Sequence, residues 1–292
     1  MTQTPADIGT VPRAVVVRLR GGIGNQMFEY AVGRCVAEKH GRELFLDDLA
    51  LREDPPGATK RLYSLDAFQI QGHLTSQKRI AIGEEIPVLA QVVECRRGFH
   101  EVILAPSPYP CIYLQGFWQD ERYFLEIQDL LRQEFRFRPG AWQESPWQSR
   151  ITAEQSPVCV HVRRQDYLAK PGQRLGFIGK EYYDQAAGLM AGKVGNAHFF
   201  VFSDDLSWCE ENLTFSQPYS FVRHPGPPAD HTATDLRLMA MCRHFVIANS
   251  SFSWWAAWLG ADAEKVVIAP QRWYQISERD SKYITPPGWL RL

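Results

Sequence analysis

The sequence predicts an α/β protein built from two parallel-sheet domains. Three observations carry this. The second half of the chain alternates short apolar runs with amphipathic runs, and its strand-like runs are apolar almost end to end. Strands buried on both faces of a parallel sheet have that composition. The first half opens with the same strand–helix–strand rhythm, "AVVVRL", a helical pattern, then "ELFLD". Between the halves, "RFRPGAWQESPWQSR" (residues 136–150) brings proline, glycine and serine and loses periodicity, as a linker does. The expected domains are residues 1–145 and 146–292.

Taken in order, residues 14–19 read as a buried strand, followed by a helix from about Asn25 to His40. Met27, Tyr30, Ala31 and Ala37 recur there at helical spacing, and Gly41 ends the pattern. The stretch from Arg52 to Pro87 is irregular, with Pro55-Pro56-Gly57 marking a loop. "CIYLQGFWQ" reads as a strand feeding a helix, "ERYFLEIQDLLRQEF", whose apolar face is Phe124, Ile127, Leu130, Leu131 and Phe135. In the second half, the strands are "PVCVHVR", "AHFFVFSDD", "YSFVRH", "HFVIANS" and "KVVIAP". The helices between them are "KEYYDQAAGLMA", "DLSWCEENL", "TATDLRLMAMC" and "FSWWAAWLG". Two such domains joined by a linker imply a cleft, and sheets of this kind bind ligands outside the carboxyl ends of their strands.

Composition narrows the classes of function. A chain of 292 residues with 45% hydrophobic content can bury a sizeable core, and a formal net charge of −1 gives nucleic acid no electrostatic hold. Cys35, Cys95, Cys111, Cys159, Cys209 and Cys242 are scattered and form no C-x-x-C pair, which argues against zinc and for reduced core thiols. With no signal-peptide pattern and no apolar run near the ~18 residues of a membrane span, the expectation is a cytoplasmic protein without an integral membrane segment.

The candidate site residues lie at strand ends. "GGIGNQMFEYAVGR" (residues 21–34) is a glycine turn between strand and helix. Counted from Gly22, it places Met27 where a dinucleotide fingerprint needs glycine or alanine, which disfavours a nicotinamide oxidoreductase. It also lacks the Gly-Lys-Ser/Thr of a P-loop, so a tight turn and a different ligand-facing loop both stay open. In "HVRRQDY", His161 and Arg163 share one strand face. Arg163 suits a diphosphate, because guanidinium meets phosphate oxygens bidentately. Arg164 is open to a salt bridge, for instance with Asp166, or to ligand contact. Asp235 could cap, pair, or accept hydrogen bonds from a base or ribose. Ser250, Ser251 and Phe252 open a helix after a strand, where backbone amides and the helix dipole suit an anion, although serine there is also a common N-cap. Asp204 or Asp205 reads as the cap of the helix that follows, with no metal expected. Met239, Trp254, Trp255 and Trp258 read as packing.

Together "GGIGNQMFEYA", "YLQGFWQDERYF", "HVRRQDY" and "DLRLMAMCRHFVIANSSFSWWAAWL" resemble the bacterial α-1,2-fucosyltransferases of glycosyltransferase family eleven, over about residues 14 to 270. Gln165 departs from the glycine that many relatives carry. The resemblance implies a GT-B fold, two Rossmann-like domains facing each other across a cleft. It also implies GDP-fucose as donor substrate, no cofactor, and inverting, metal-independent transfer to O2 of a terminal β-galactose. By the same resemblance, His161, Arg163, Asp235, Ser250, Ser251 and Phe252 bind the donor. Gly22, Gly24 and Asn25 lie near donor phosphate and acceptor. Arg163 stabilises the leaving diphosphate. By its place in the sequence Asp166 is a reachable carboxylate for the base, with a salt bridge as the competing role and transfer needing little base help also open. Trp118 and Gln119 are acceptor-side candidates, the tryptophan either stacking on galactose or buried in the core. A glycan-lipid acceptor would bring peripheral contact with a membrane. Transfer with another linkage, such as α-1,6, and a non-catalytic nucleotide- or glycan-binding protein are the competing readings.

Overall fold

The computed structural model describes residues 13–53, 60–78, 90–94, 98–165, 176–226, 231–274 and 283–292. The chain divides into two compact units. The first comprises residues up to Leu65 together with Ile70–Glu134, and the second comprises Asp66–Gln69 and Phe135–Leu292.

In the first unit β1 (Ala14–Arg18) leads into α1 (Ile23–His40), then β2 (Glu43–Asp47), α2 (Leu49–Arg52), β3 (His73–Leu74) and α3 (Thr75–Lys78). β4 (Ala90–Val93), β5 (Cys111–Gln115) and α4 (Gln128–Glu134) complete it. The sheet runs β3-β2-β1-β5-β4 with every pairing parallel. Val15 to Val17 in the central strand are fully buried, which is why that strand carries no polar alternation. α1 starts at Ile23, slightly before the periodic residues that predict it, and Gly41 closes it in the left-handed conformation, its amide bonded to Ala37 and Glu38 carbonyls.

The single helix expected over 121–135 is corrected. Residues 121–123 and 125–127 form 3₁₀ turns, and only α4 is α-helical. Asp120 accepts hydrogen bonds from both the backbone and the guanidinium of Arg122, which holds the first turn tight, and Phe124 leaves helical geometry at ψ 12°. Phe124, Leu131 and Phe135 are buried as the apolar face requires, while Ile127 and Leu130 are only half-buried.

The second unit holds α5 (Pro146–Ala153), β6 (Ser156–Val162), α6 (Lys180–Lys193), β7 (Ala197–Ser203) and α7 (Leu206–Asn212). It continues with β8 (Tyr219–Phe221), α8 (Thr232–Ala240), β9 (His244–Val246), α9 (Ser251–Leu259), β10 (Val267–Ala269) and β11 (Leu290–Arg291). Its parallel sheet runs β11-β10-β9-β6-β7-β8. Counted from β6 as the first strand, this is the doubly wound order 6-5-4-1-2-3. Val158, Val160 and Val162 pack with Tyr183, Met190, Val201, Val246 and Ile268 on one face. Alternation then puts Cys159 and His161 on the other face.

The boundary falls at Glu134–Phe135, ahead of the position expected, and residues 136–150 are part of the second unit instead of a linker. The Arg138 amide donates to the Ala67 carbonyl, and that of Gln143 to the Thr234 hydroxyl. Ser145 caps α5 through the Trp147 amide. Met239, Trp254, Trp255 and Trp258 are buried packing residues as expected. Cys35, Cys111, Cys159, Cys209 and Cys242 are buried and unbridged, and Cys95 lies outside the described residues. Among the described residues, no helix is long and apolar enough to cross a membrane.

Candidate functional site

In the second sheet the chain winds outward from β6 through β7 to β8, then returns to β9 and winds the other way. β6 and β9 therefore flank the switch point, where a doubly wound sheet opens a crevice beyond its strand ends. The residues leaving those two strands are the predicted ones. His161 lies near the end of β6, Arg163 follows it, and Asn249 to Phe252 lead from β9 into α9. The His161 ring lies 5.6 Å from that of Phe252, so the two motifs meet.

His161 is 3% exposed, and its Nδ1 has no hydrogen-bond partner. Burial, aided by the neighbouring Arg163 charge, lowers the imidazole to about 3, so it is neutral at physiological pH. Ser250 stands at the N-cap of α9, yet its hydroxyl makes no capping hydrogen bond. The Ser253 hydroxyl bonds back to the Ser250 carbonyl. Asn249 anchors the turn by donating to the Gly176 and Trp273 carbonyls. An uncapped helix start beside a neutral imidazole and a guanidinium is an arrangement suited to a phosphate.

The two arginines differ. Arg163 Nε lies 3.2 Å from Asp204 Oδ2, and Asp204 Oδ1 also accepts from the Arg164 amide. One carboxylate thus fixes the strand exit and holds one edge of the Arg163 guanidinium. Arg164 packs between Trp208 and Phe177, 3.9 and 4.7 Å from the ring centres, and donates from Nε to Asp205. Its salt bridge is therefore structural, with Asp205 as partner. Asp205 also caps α7 through the Trp208 amide. Asp166 lies outside the described residues. Asp235, in the first turn of α8, meets His224 Nε2 at 2.7 Å, and the His224 ring stacks on His231. His224 was not anticipated; the usable signal was its place just beyond a strand, at the end of "YSFVRH".

In the first unit β1 and β5 are parallel neighbours at the centre of the sheet, and the glycine loop and the 116–119 segment leave their carboxyl ends. Gly21 takes φ 75° and Gly22 stands at the N-cap of α1. Gly24 is buried in the first helical turn. Gln26 locks the loop by donating to the Gly21 and Leu62 carbonyls and accepting from the Ser64 amide. Asn25 Oδ1 accepts from Gln119 Nε2 at 3.0 Å, which joins two predicted residues 94 positions apart. The expectation that Trp118 could stack on a sugar is corrected. Its ring is fully buried, edge-on to Tyr123, with no face left for a ligand. Also missed were Arg20 and Glu29, a strand-end cation over Phe117 and a fully buried carboxyl beneath it. Glu29 lies off the face marked by Met27, Tyr30 and Ala31, so helical spacing carried no signal for its burial; α1 is covered on nearly all sides.

The model of glycosyl transferase family 11 matches residues 97–292. The chain is 31% identical to an Escherichia coli alpha-1,2-colitosyltransferase, over 95% of this chain and 98% of that protein. It is 28% identical to human galactoside alpha-(1,2)-fucosyltransferase 1, over 85% of this chain and 66% of that one. Among solved structures, NodZ α-1,6-fucosyltransferase co-crystallised with GDP shares the fold at a TM-score of 0.51 and 16% identity, covering 84% of this chain and 91% of that one. The likeness agrees with two parallel-sheet domains of the GT-B type. The chain belongs to glycosyl transferase family 11.

Proposed function

We propose that the protein transfers L-fucose from GDP-fucose to O2 of a terminal β-galactose, with inversion and without a metal ion. The observation that carries the reading is the meeting of His161 with Phe252 at the α9 start, at the β6–β9 switch point, with Arg163 two residues beyond His161. The bond from fucose C1 to the β-phosphate oxygen breaks while a bond from C1 to the galactose O2 forms on the opposite face. Positive charge grows on the sugar and negative charge on the departing diphosphate. Arg163 and the amides at Ser250, Ser251 and Phe252 face that negative charge as it develops, and fixed donors of this kind favour the transition state over the ground state. His161 stays neutral and serves as a hydrogen-bonding group beside the nucleotide. Asp235, held by His224, is assigned to the base or ribose. The acceptor hydroxyl proton goes to Asp166. In the first unit Gly22, Gly24, Asn25 and Gln119 are assigned to the reacting sugars, the glycines allowing close backbone approach.

Incubation with GDP-fucose and a panel of β-galactosides, with product linkage read by NMR, tests the proposal. The expected product is α-1,2-linked, formed at the same rate with and without EDTA. An α-1,6 product, or activity that vanishes with EDTA and returns only with added cation, overturns it. The 31% relative named for colitose supports a second donor, the sugar resembling fucose without its 3-hydroxyl. Parallel assays with GDP-colitose decide between the two. A bell-shaped pH–rate profile that loses its acidic limb in Asp166→Asn would identify the base.

A further inference from the structure

The first unit holds a cation that the proposed reaction does not use. Arg20 follows β1 at the carboxyl end of the sheet, and its guanidinium lies 4.1 Å from the centre of the Phe117 ring, which belongs to the segment following the neighbouring strand β5. The side chain therefore spans the mouth of the sheet from one flanking strand to the other. It is 37% exposed, and among the described residues the only carboxylate within ion-pairing distance is Glu29, at 3.8 Å from Nε. Arg20 Nε is itself buried without a hydrogen-bond partner.

Glu29 is a poor counter-charge. It is fully buried, its Oε2 is occupied by the Arg20 amide at 2.9 Å, and its Oε1 has no hydrogen-bond partner. Burial pushes its carboxyl well above the usual carboxylate range, which disfavours the charged form. Glu94, the other nearby carboxylate, accepts from the Phe117 amide at 2.8 Å. The Asn25–Gln119 pair lies at the ends of the same two strands. A partly exposed guanidinium stacked on an aromatic ring, with amide side chains at the same mouth, is a setting for an oxyanion carried on a polyol.

We infer that the mouth of the first sheet binds an oxyanion on the acceptor glycan, a uronate or a sugar phosphate, through Arg20 stacked on Phe117. The inference rests on the transfer reading above and adds a charge requirement to the acceptor.

The test compares three acceptors with GDP-fucose: a neutral β-galactoside, the same glycan with a uronate beside the galactose, and the same glycan with a phosphate there. The wild-type protein should show a KM lower for one charged acceptor by on the order of tenfold to a hundredfold. Arg20→Gln should erase that preference, Arg20→Lys should keep part of it, and the calorimetric Kd for GDP should be the same in all three proteins. Whichever acidic acceptor gains identifies the source of the oxyanion. Equal KM for neutral and charged acceptors in the wild type overturns the inference. So does a loss in Arg20→Gln that is uniform across acceptors or extends to GDP. Failure to transfer to any galactoside would instead sink the function reading.

Discussion

Arg163 and Arg164 leave β6 one after the other, and their surroundings divide them. Arg163 is held along one edge by Asp204 at the switch point, so Arg163→Ala should lower turnover by about a hundredfold or more in a folded protein, measured by steady-state GDP release. Arg164 sits between two rings with Asp205 as its partner. Arg164→Ala should instead cost about 1–3 kcal/mol of stability in denaturant titrations, because it strips a carboxylate and two aromatic faces of their cation. His161 gives a pH prediction. Its folded value of about 3 lies below the ordinary 6.5, so above pH 6.5 both folded and unfolded chains carry a neutral ring and the stability is complete. As pH falls from 6.5 towards 3, the unfolded chain takes up a proton that the fold refuses, and stability drops with a slope approaching ~1.4 kcal/mol per pH unit. His161→Asn should flatten that slope between urea midpoints taken at pH 7.5 and 5. At this scale the strand-end residues were legible because alternation and chain order fix where a strand exits. Trp118 was not, since nothing in "GFWQ" tells an aromatic ring facing ligand from one facing core.

α1 shows what helical spacing conveys and what it hides. Its apolar phase was readable, but the reason for Gly33 was not. A β-carbon there would run into the Val17 side chain and approach Leu44, so the helix lies on the sheet at a separation only glycine permits. Gly33→Ala should cost about 1–3 kcal/mol by calorimetry despite the better helix propensity of alanine. Glu29 in the same helix carries the opposite pH signature to His161. Its carboxyl is raised, so its contribution is complete below the unfolded value near 4.5 and is lost as pH rises above it, when the unfolded chain gives up a proton that the fold retains. Glu29→Gln should raise the melting temperature at pH 7 and change it little at pH 4. The broken helix at residues 121–135 escaped detection because its apolar face is real. The break comes from Asp120 gripping Arg122, a side-chain contact that periodicity does not register.

For the whole molecule, both sheets could be anticipated, yet β3, β4 and β11 could not. They are edge or near-edge strands of two to four residues, with compositions such as "HL" and "LR" that lack the apolar run of a central strand. The division of the chain was also displaced, because Asp66–Gln69 belongs to the second unit. Phe68 is fully buried there, 5.3 and 4.9 Å from the rings of Phe135 and Phe137. Backbone hydrogen bonds from Gln69 to Arg136 and from Arg138 to Ala67 fasten the segment on either side. Phe68→Ala should cost about 3–5 kcal/mol, read from the guanidinium midpoint. The polypeptide thus passes between its two halves three times. A gene cut before Phe135 would yield a carboxyl-terminal product with an aromatic socket and no plug, and a peptide spanning residues 60–75 added in trans is the reagent that should make such a truncated product soluble.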